Sequence, residues 1–230
     1  MSELAPPLPL LPENPSLFTR ARVALKCLEV LQKDPANPEY ADLFNTCMDR
    51  NLYSAFAEDW SRNAEGRRLL AERPSLEAKD LDLSALERLP DGTLGREFVR
   101  YFQTNGIKPF VSAGASDTDF RYVVKRLRET HDLYHVVTGY GTDPVGELEL
   151  QAFQVGNLHF RSSLFIVVVS LANVSSMMKI PFSQYARRLW AAFRRGARSR
   201  YLASFRFEEH WETPVAQLRA ALCAPAVELN

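Results

Sequence analysis

Phe120, Val123, Val124 and Leu127 recur at the three- and four-residue steps of one helix face, and the next two steps of that stripe land on His131 and His135. An amphipathic helix that turns two imidazoles towards its buried side must offer them partners there. His131 and His135, four residues apart, lie one turn apart on the same face, and Asp132, three residues before His135, is within reach of it. Glu147 follows His135 by twelve residues. On an unbroken helix that would set it roughly 18 Å away, so the chain has to turn. Gly139 and Gly141 suit positive φ and the end of a first helix, Asp143 suits the cap of a second, and Pro144 suits its first position. Glu147 then falls in the first turn of that second helix, and an antiparallel pair returns it to the histidines. The predicted site is His131, Asp132, His135 and Glu147.

An inward histidine is commonly a hydrogen-bonded core residue, and a lone carboxylate is commonly solvated. Two imidazoles and two carboxylates converging in an apolar interior are a different case, because they need a shared cation or shared protons. Two nitrogens and two carboxylate oxygens suit one divalent ion, with zinc, iron, manganese and cobalt all compatible. An open position would make that ion a Lewis acid, and four closed positions would make it structural.

The rest of the chain reads as helix. Leu17, Phe18, Ala21, Ala24, Leu25, Leu28 and Leu31 follow helical spacing, with Arg20, Arg22, Lys26, Glu29 and Lys33 on other faces, until Pro35 stops the helix. Tyr40, Leu43, Phe44, Cys47 and Met48 predict a second helix, and Trp60 to Leu70 a third. Pro74, Pro90 and Gly92 mark a connector with short helical pieces. Thr93 is placed to cap a helix that turns Leu94, Phe98, Tyr101 and Phe102 to the core and ends at Asn105-Gly106, followed by a loop from Gly106 to Asp117. No strand-period alternation of useful length appears, and neither does a glycine-rich phosphate loop, a Ser/His/Asp elbow or a dinucleotide fingerprint. The expectation is an all-α, single-domain multi-helix bundle whose metal site lies between two helices joined by a Gly-rich turn. Its boundaries are a Pro-rich arm at residues 1–16, one helical domain at 17–222 and a tail at 223–230.

After Asp143 a long helical region runs towards Met178, broken between His159 and Ser163. Its apolar middle, Leu164 to Val174, reads as a buried central helix, too short to span a membrane and interrupted by Ser170 and Asn173. Gln151 and Gln154 lie one and two turns after Glu147, placed either to line the site or to stand exposed. His159 has no partner at ligand spacing and reads as structural. Beyond Pro181, Tyr185, Leu189, Ala192 and Phe193 form an apolar stripe opposite Arg187, Arg194 and Arg198, with Arg188, Arg195 and Arg200 nearby. Such a face suits an anionic membrane surface, a substrate carboxylate or phosphate, or plain solvation. Trp211, Val215, Leu218 and Leu222 mark a last helix entered through Thr213 and Pro214.

With 28 basic and 28 acidic residues the chain carries no formal net charge, which points to no nucleic-acid partner. Three widely spaced cysteines without a C-x-x-C pair read as reduced thiols, as expected in a cytoplasmic setting. The opening MSELAPPLPLLPENP has the character of neither a secretory signal nor a transit peptide.

HDLYH followed by eleven residues and Glu147 resembles the signature of the ubiquinone (coenzyme Q) biosynthesis protein 4 family, and RETHDLYHVVTGYGTDPVGELELQAF is similar to that family well beyond the ligands. LPDGTLGREFVRYF and the Arg-rich segment leading to EEHWETPVAQLRAAL resemble its flanking regions, so the likeness covers about residues 17–222. The resemblance implies metal ligands at His131, Asp132, His135 and Glu147, with zinc favoured. It implies a polyprenylated aromatic ubiquinone precursor as substrate and oxidative decarboxylation at ring carbon 1, where hydroxyl replaces carboxyl. Asp132 or Glu147 would serve as a base. It further implies other ubiquinone-biosynthesis proteins as partners, a peripheral place on the inner membrane surface and a homodimer. Two alternatives stand beside this reading: a non-catalytic lipid-binding scaffold that organises the pathway's enzymes at a membrane, and metal-dependent hydrolysis of a phosphate ester.

Overall fold

A computed structural model describes residues 9, 11–12, 14–34, 37–77, 79–107, 116–177 and 181–225. Pro35, Met178 and residues 108–115 of the expected loop lie outside them. Among the described residues the regular elements are helices, joined by one isolated bridge between Thr93 and Pro214. The all-α expectation holds. Two compact units divide the chain, residues 1–53 and 54–230.

In the first unit, α1 (Leu17–Leu31) starts at Ser16, whose hydroxyl accepts the Thr19 N–H at 3.1 Å. The sequence stripe of α1 is not the buried face. Leu17 and Phe18 are each 77% exposed, and Arg20, Val23, Ala24 and Cys27 point inward. Arg20 can be inside because its donors are used: Nε donates to the Cys47 carbonyl at 2.8 Å and Nη1 to Asn51 Oδ1 at 2.9 Å.

α2 (Pro38–Arg62) runs further than the sequence suggested, taking in Trp60. The expected third helix is therefore cut at Asn63, whose side chain accepts the Gly66 N–H at 2.7 Å and starts α3 (Ala64–Glu72). A short α4 (Leu83–Glu87) lies in the connector. Thr93 precedes α5 (Leu94–Asn105) without capping it, because its hydroxyl donates to the Pro90 carbonyl instead. The start of α5 is tied to that of α11 (Val215–Leu222) by Leu94 N–H to Thr213 O and Val215 N–H to Gly92 O, at 2.9 and 2.8 Å.

The metal-bearing helix of the sequence is two helices, α6 (Asp119–Glu129) and α7 (His131–Thr138), meeting at Thr130. Hydrogen bonding passes through the joint, from Thr130 N–H to Arg126 O and from Tyr134 N–H to Thr130 O, each 3.0 Å. α8 (Pro144–Leu158) ends at His159, which takes φ +61° as its C-cap, a structural role. α9 (Arg161–Met177) and α10 (Phe182–Arg198) follow.

α8 and α10 run in the same direction and meet backbone to backbone. A Cβ on Gly156 would stand 2.2 Å from the Phe193 carbonyl oxygen, and one on Gly196 2.1 Å from that of Phe153. Val145, Leu148 and Ala152 interlock there with Tyr185, Leu189 and Ala192. α9 is not a buried central helix: it packs on α8 and α10 along one side and exposes Leu164, Val168 and Val169 on the other. No helix among the described residues is long and apolar enough to cross a membrane.

Candidate metal centre

α7 is short, so its last carbonyls need partners, and two arginines from distant helices supply them. Arg219 of α11 donates from Nε to Val137 O at 2.7 Å and from Nη2 to Val136 O at 3.1 Å, and Arg195 of α10 donates to Thr138 O at 2.9 Å. Arg195 is therefore buried and belongs to the site's support rather than to a basic surface. Arg188 is likewise engaged, forming a two-point pair with Glu149 at 2.8 and 2.9 Å. Gly139 closes α7 at φ +82°. Gly141 does not take positive φ; it is Gly146 that lets the turn close, since a Cβ there would stand 2.4 Å from the Gly141 oxygen. Asp143 then caps α8, its Oδ1 accepting the Val145 and Gly146 N–H groups at 3.1 and 3.3 Å, with Pro144 at the first position. Glu147 sits in the first turn.

This turn brings together His131, His135 and Glu147, whose ligand atoms all lie within 4.8 Å of one another. His135 Nε2 is 3.3 Å from Glu147 Oε1, and His131 Nε2 is 3.9 Å from Glu147 Oε2. The two imidazoles are nearly perpendicular, with centroids 5.0 Å apart. The side chain of His135 is only 1% exposed, against 33% for His131 and 39% for Glu147, so the group opens on one side.

His135 Nδ1 lies 3.0 Å from the Tyr140 carbonyl, which can only accept, so Nδ1 carries the proton and Nε2 faces Glu147. That Nε2 is buried without a hydrogen-bond partner. Ligand atoms about 2.1 Å from one ion in a tetrahedral shell stand roughly 3.4 Å apart. The spacing from His135 to Glu147 matches that figure, and an orphaned imidazole nitrogen facing a carboxylate is the donor set a divalent cation completes.

Burial, and then the neighbouring His135, hold the His131 pKa below its ordinary value against the pull of Asp132 and Glu147. Burial also opposes charge on His135, but Glu147, helped by the Tyr140 carbonyl and Asp132, outweighs it and raises the pKa. The two imidazoles are thus shifted in opposite directions.

Asp132 stands outside the triad. Its Oδ1 accepts the Tyr101 hydroxyl at 3.3 Å, and burial raises its pKa although both histidines and Tyr101 oppose that. Gln154 is buried, with Nε2 placed 3.5 Å from His131 Nδ1 and Oε1 accepting the Ser163 hydroxyl at 3.3 Å, whereas Gln151 is half-buried. Of the two glutamines the sequence set beside Glu147, Gln154 reaches a histidine. Tyr101 was read as a core residue. Its signal was a phenol on an otherwise apolar helix face.

The family described as "Coenzyme Q (ubiquinone) biosynthesis protein Coq4" has a model that matches residues 20–225. The chain is 33% identical over 161 residues to the mitochondrial ubiquinone biosynthesis protein COQ4 homolog of Danio rerio, covering 69% of this chain and 59% of that protein. It is 34% identical over 169 residues to the mitochondrial COQ4 protein of Yarrowia lipolytica, covering 72% and 63%. The mitochondrial homolog of Homo sapiens is 31% identical over 167 residues, at 70% and 61%. The match therefore spans about three-fifths of the length of these relatives. A crystal structure from Nostoc punctiforme PCC 73102, described as a candidate ubiquinone biosynthesis protein, has the same fold. Its TM-score is 0.71 at 23% identity, over 88% of this chain and 96% of that one.

Proposed function

The chain belongs to the coenzyme Q (ubiquinone) biosynthesis protein Coq4 family, and from that premise we propose that it acts in ubiquinone biosynthesis as a metal-dependent enzyme. Its substrate is a polyprenylated aromatic ring, and its reaction replaces the carboxyl at ring carbon 1 by hydroxyl. The observation that carries this reading is the convergence of His131, His135 and Glu147, whose ligand atoms lie within 4.8 Å of one another with the buried His135 Nε2 facing the Glu147 carboxylate.

His131, His135 and Glu147 hold one divalent ion, with Asp132 as the fourth ligand beside them; zinc fits these donors, as do iron, cobalt and manganese. The ion supplies Lewis-acid chemistry. The chain's own groups do the rest. The Tyr140 carbonyl holds His135 in one tautomer, the open side at His131 and Glu147 admits the ring, and Asp132 or Glu147 takes a proton from the hydroxyl-bearing product. Loss of carbon dioxide breaks the ring's bond to its carboxyl carbon, and a new carbon–oxygen bond to an oxygen from water replaces it, a two-electron oxidation in which dioxygen takes both electrons and leaves as hydrogen peroxide. Zinc has no redox chemistry, so with zinc the electron-rich ring itself reacts with oxygen. The lipid-tailed substrate is reached from a membrane surface, with the protein peripheral to it and working among other enzymes of the pathway.

A second reading, a lipid-binding scaffold without turnover, is favoured by one observation: Leu164, Val168 and Val169 on α9 and Phe182 and Trp190 on α10 are large apolar residues left exposed. Elemental mass spectrometry on protein purified without added metal tests the site. About one ion per chain, lost in His135→Ala, is the expected result. Glu147→Gln then separates the readings: an enzyme loses turnover with its fold intact, and a scaffold keeps its pathway assembly. No metal in either protein would overturn the metal-dependent mechanism.

A further inference from the structure

α5 packs against α7, and Tyr101 is where the two helices meet the candidate centre. The α5 residues Leu94, Phe98, Val99 and Phe102 are buried as an ordinary apolar face. Tyr101 is half-buried at the edge of that face. Its ring stacks on the His135 imidazole, with centroids 5.6 Å apart and planes 25° from parallel, and its hydroxyl donates to Asp132 Oδ1 at 3.3 Å. One side chain thus touches two of the four proposed ligands. Tyr101 also lines a cleft of about 470 Å³ together with Arg100, Thr104, Val136 and Arg219.

Ligands of a metal ion are aimed by the hydrogen bonds they make on their far side, and a carboxylate rotates freely unless one oxygen is tied. The bond from Tyr101 ties Asp132 Oδ1 and so restrains the carboxylate's rotation. The stacked ring limits rotation of His135 about its last torsion. We propose that Tyr101 is a positioning residue of the metal centre, acting through the orientation of Asp132 and, by its ring, of His135. The inference rests on the metal reading of the site and deepens it.

The test uses cobalt(II) as the ion and titrates the full chain, metal-free at the start, by visible absorption. Tyr101→Phe keeps the ring and removes the hydroxyl. Its cobalt affinity should fall about 10- to 100-fold with a changed d–d spectrum, while its thermal midpoint without metal stays close to the parent's. In an Asp132→Asn background the same change should cost no further affinity, because the hydroxyl acts through the Asp132 carboxylate. A Tyr101→Phe protein with the parent's affinity and spectrum would overturn the proposal, and so would an equal loss in both backgrounds. Should Tyr101→Phe fail to fold, Asp132→Asn alone decides: parental affinity and spectrum there would overturn it. Failure of the parent itself to bind cobalt would overturn the metal reading, and this inference with it.

Discussion

His135 and Tyr140, five residues apart, are joined by a hydrogen bond from the imidazole Nδ1 to the backbone carbonyl, so the turn that ends α7 also fixes which nitrogen faces Glu147. The imidazole's tautomer is set by the turn's geometry. Gln154 does the corresponding work at His131, with an amide that either bonds Nδ1 as placed or, rotated by half a turn, accepts a proton from it. Gln154→Leu, close in volume and without polar atoms, should lower zinc affinity about tenfold with little loss of fold. Competition titration against a chromogenic chelator measures it, and unchanged affinity would remove Gln154 from the site.

The backbone contact of α8 with α10 leaves no room for a methyl group at Gly156 or Gly196. Gly196→Ala should force the helices apart and destabilise the protein by roughly 1–3 kcal/mol despite alanine's better helix propensity. Urea denaturation would show a lower midpoint. A midpoint equal to the parent's would mean that α8 and α10 do not meet as described.

A second buried charge cluster lies away from the turn. Lys125 Nζ stands 3.1 Å from Glu77 and 3.4 Å from Glu129, both carboxylates being 1% exposed. Lys125→Met should cost about 3 kcal/mol at neutral pH by leaving those charges buried with less compensation. Burial alone would raise the Glu77 pKa, but Lys79 and Lys125 outweigh it and the net shift is downward. A depressed carboxylate contributes stability that is present above its unfolded value, about 4.3, and is lost as pH falls through the lower folded value. The stability difference between parent and Lys125→Met should therefore shrink in acid, a comparison that thermal melts at pH 7 and below 4 can make.

Trp190, 60% exposed and stacked on Phe193 at 5.2 Å, sits on the same helix as the exposed Arg187 and Arg198. Trp190→Ala should reduce co-sedimentation with anionic lipid vesicles several-fold and change stability by no more than about 0.5 kcal/mol. Undiminished sedimentation would place any membrane contact elsewhere.

The helix–turn–helix that carries the site was legible because each of its signals is local: spacing for His131 and His135, a cap at Asp143, a first-position proline, a glycine at the end of α7. Gln154 was legible as a candidate from helical spacing alone. Tyr101 was not, because its role depends on how α5 meets α7, and phenol on an apolar stripe reads as core. The inward face of α1 was hidden for a related reason. Arg20 is buried by virtue of a carbonyl and an amide 27 and 31 residues further on, and no property of α1 announces them. Thr93 illustrates the limit of local rules, having the right residue type for a cap and a different acceptor nearby.

The carbonyls that end α7 are satisfied by Arg195 and Arg219, which follow Thr138 and Val137 by 57 and 82 residues. Every proposed ligand is therefore synthesised before the groups that hold the turn in place. A fragment ending before α10 would carry the whole motif in its sequence while lacking the clamp that shapes it.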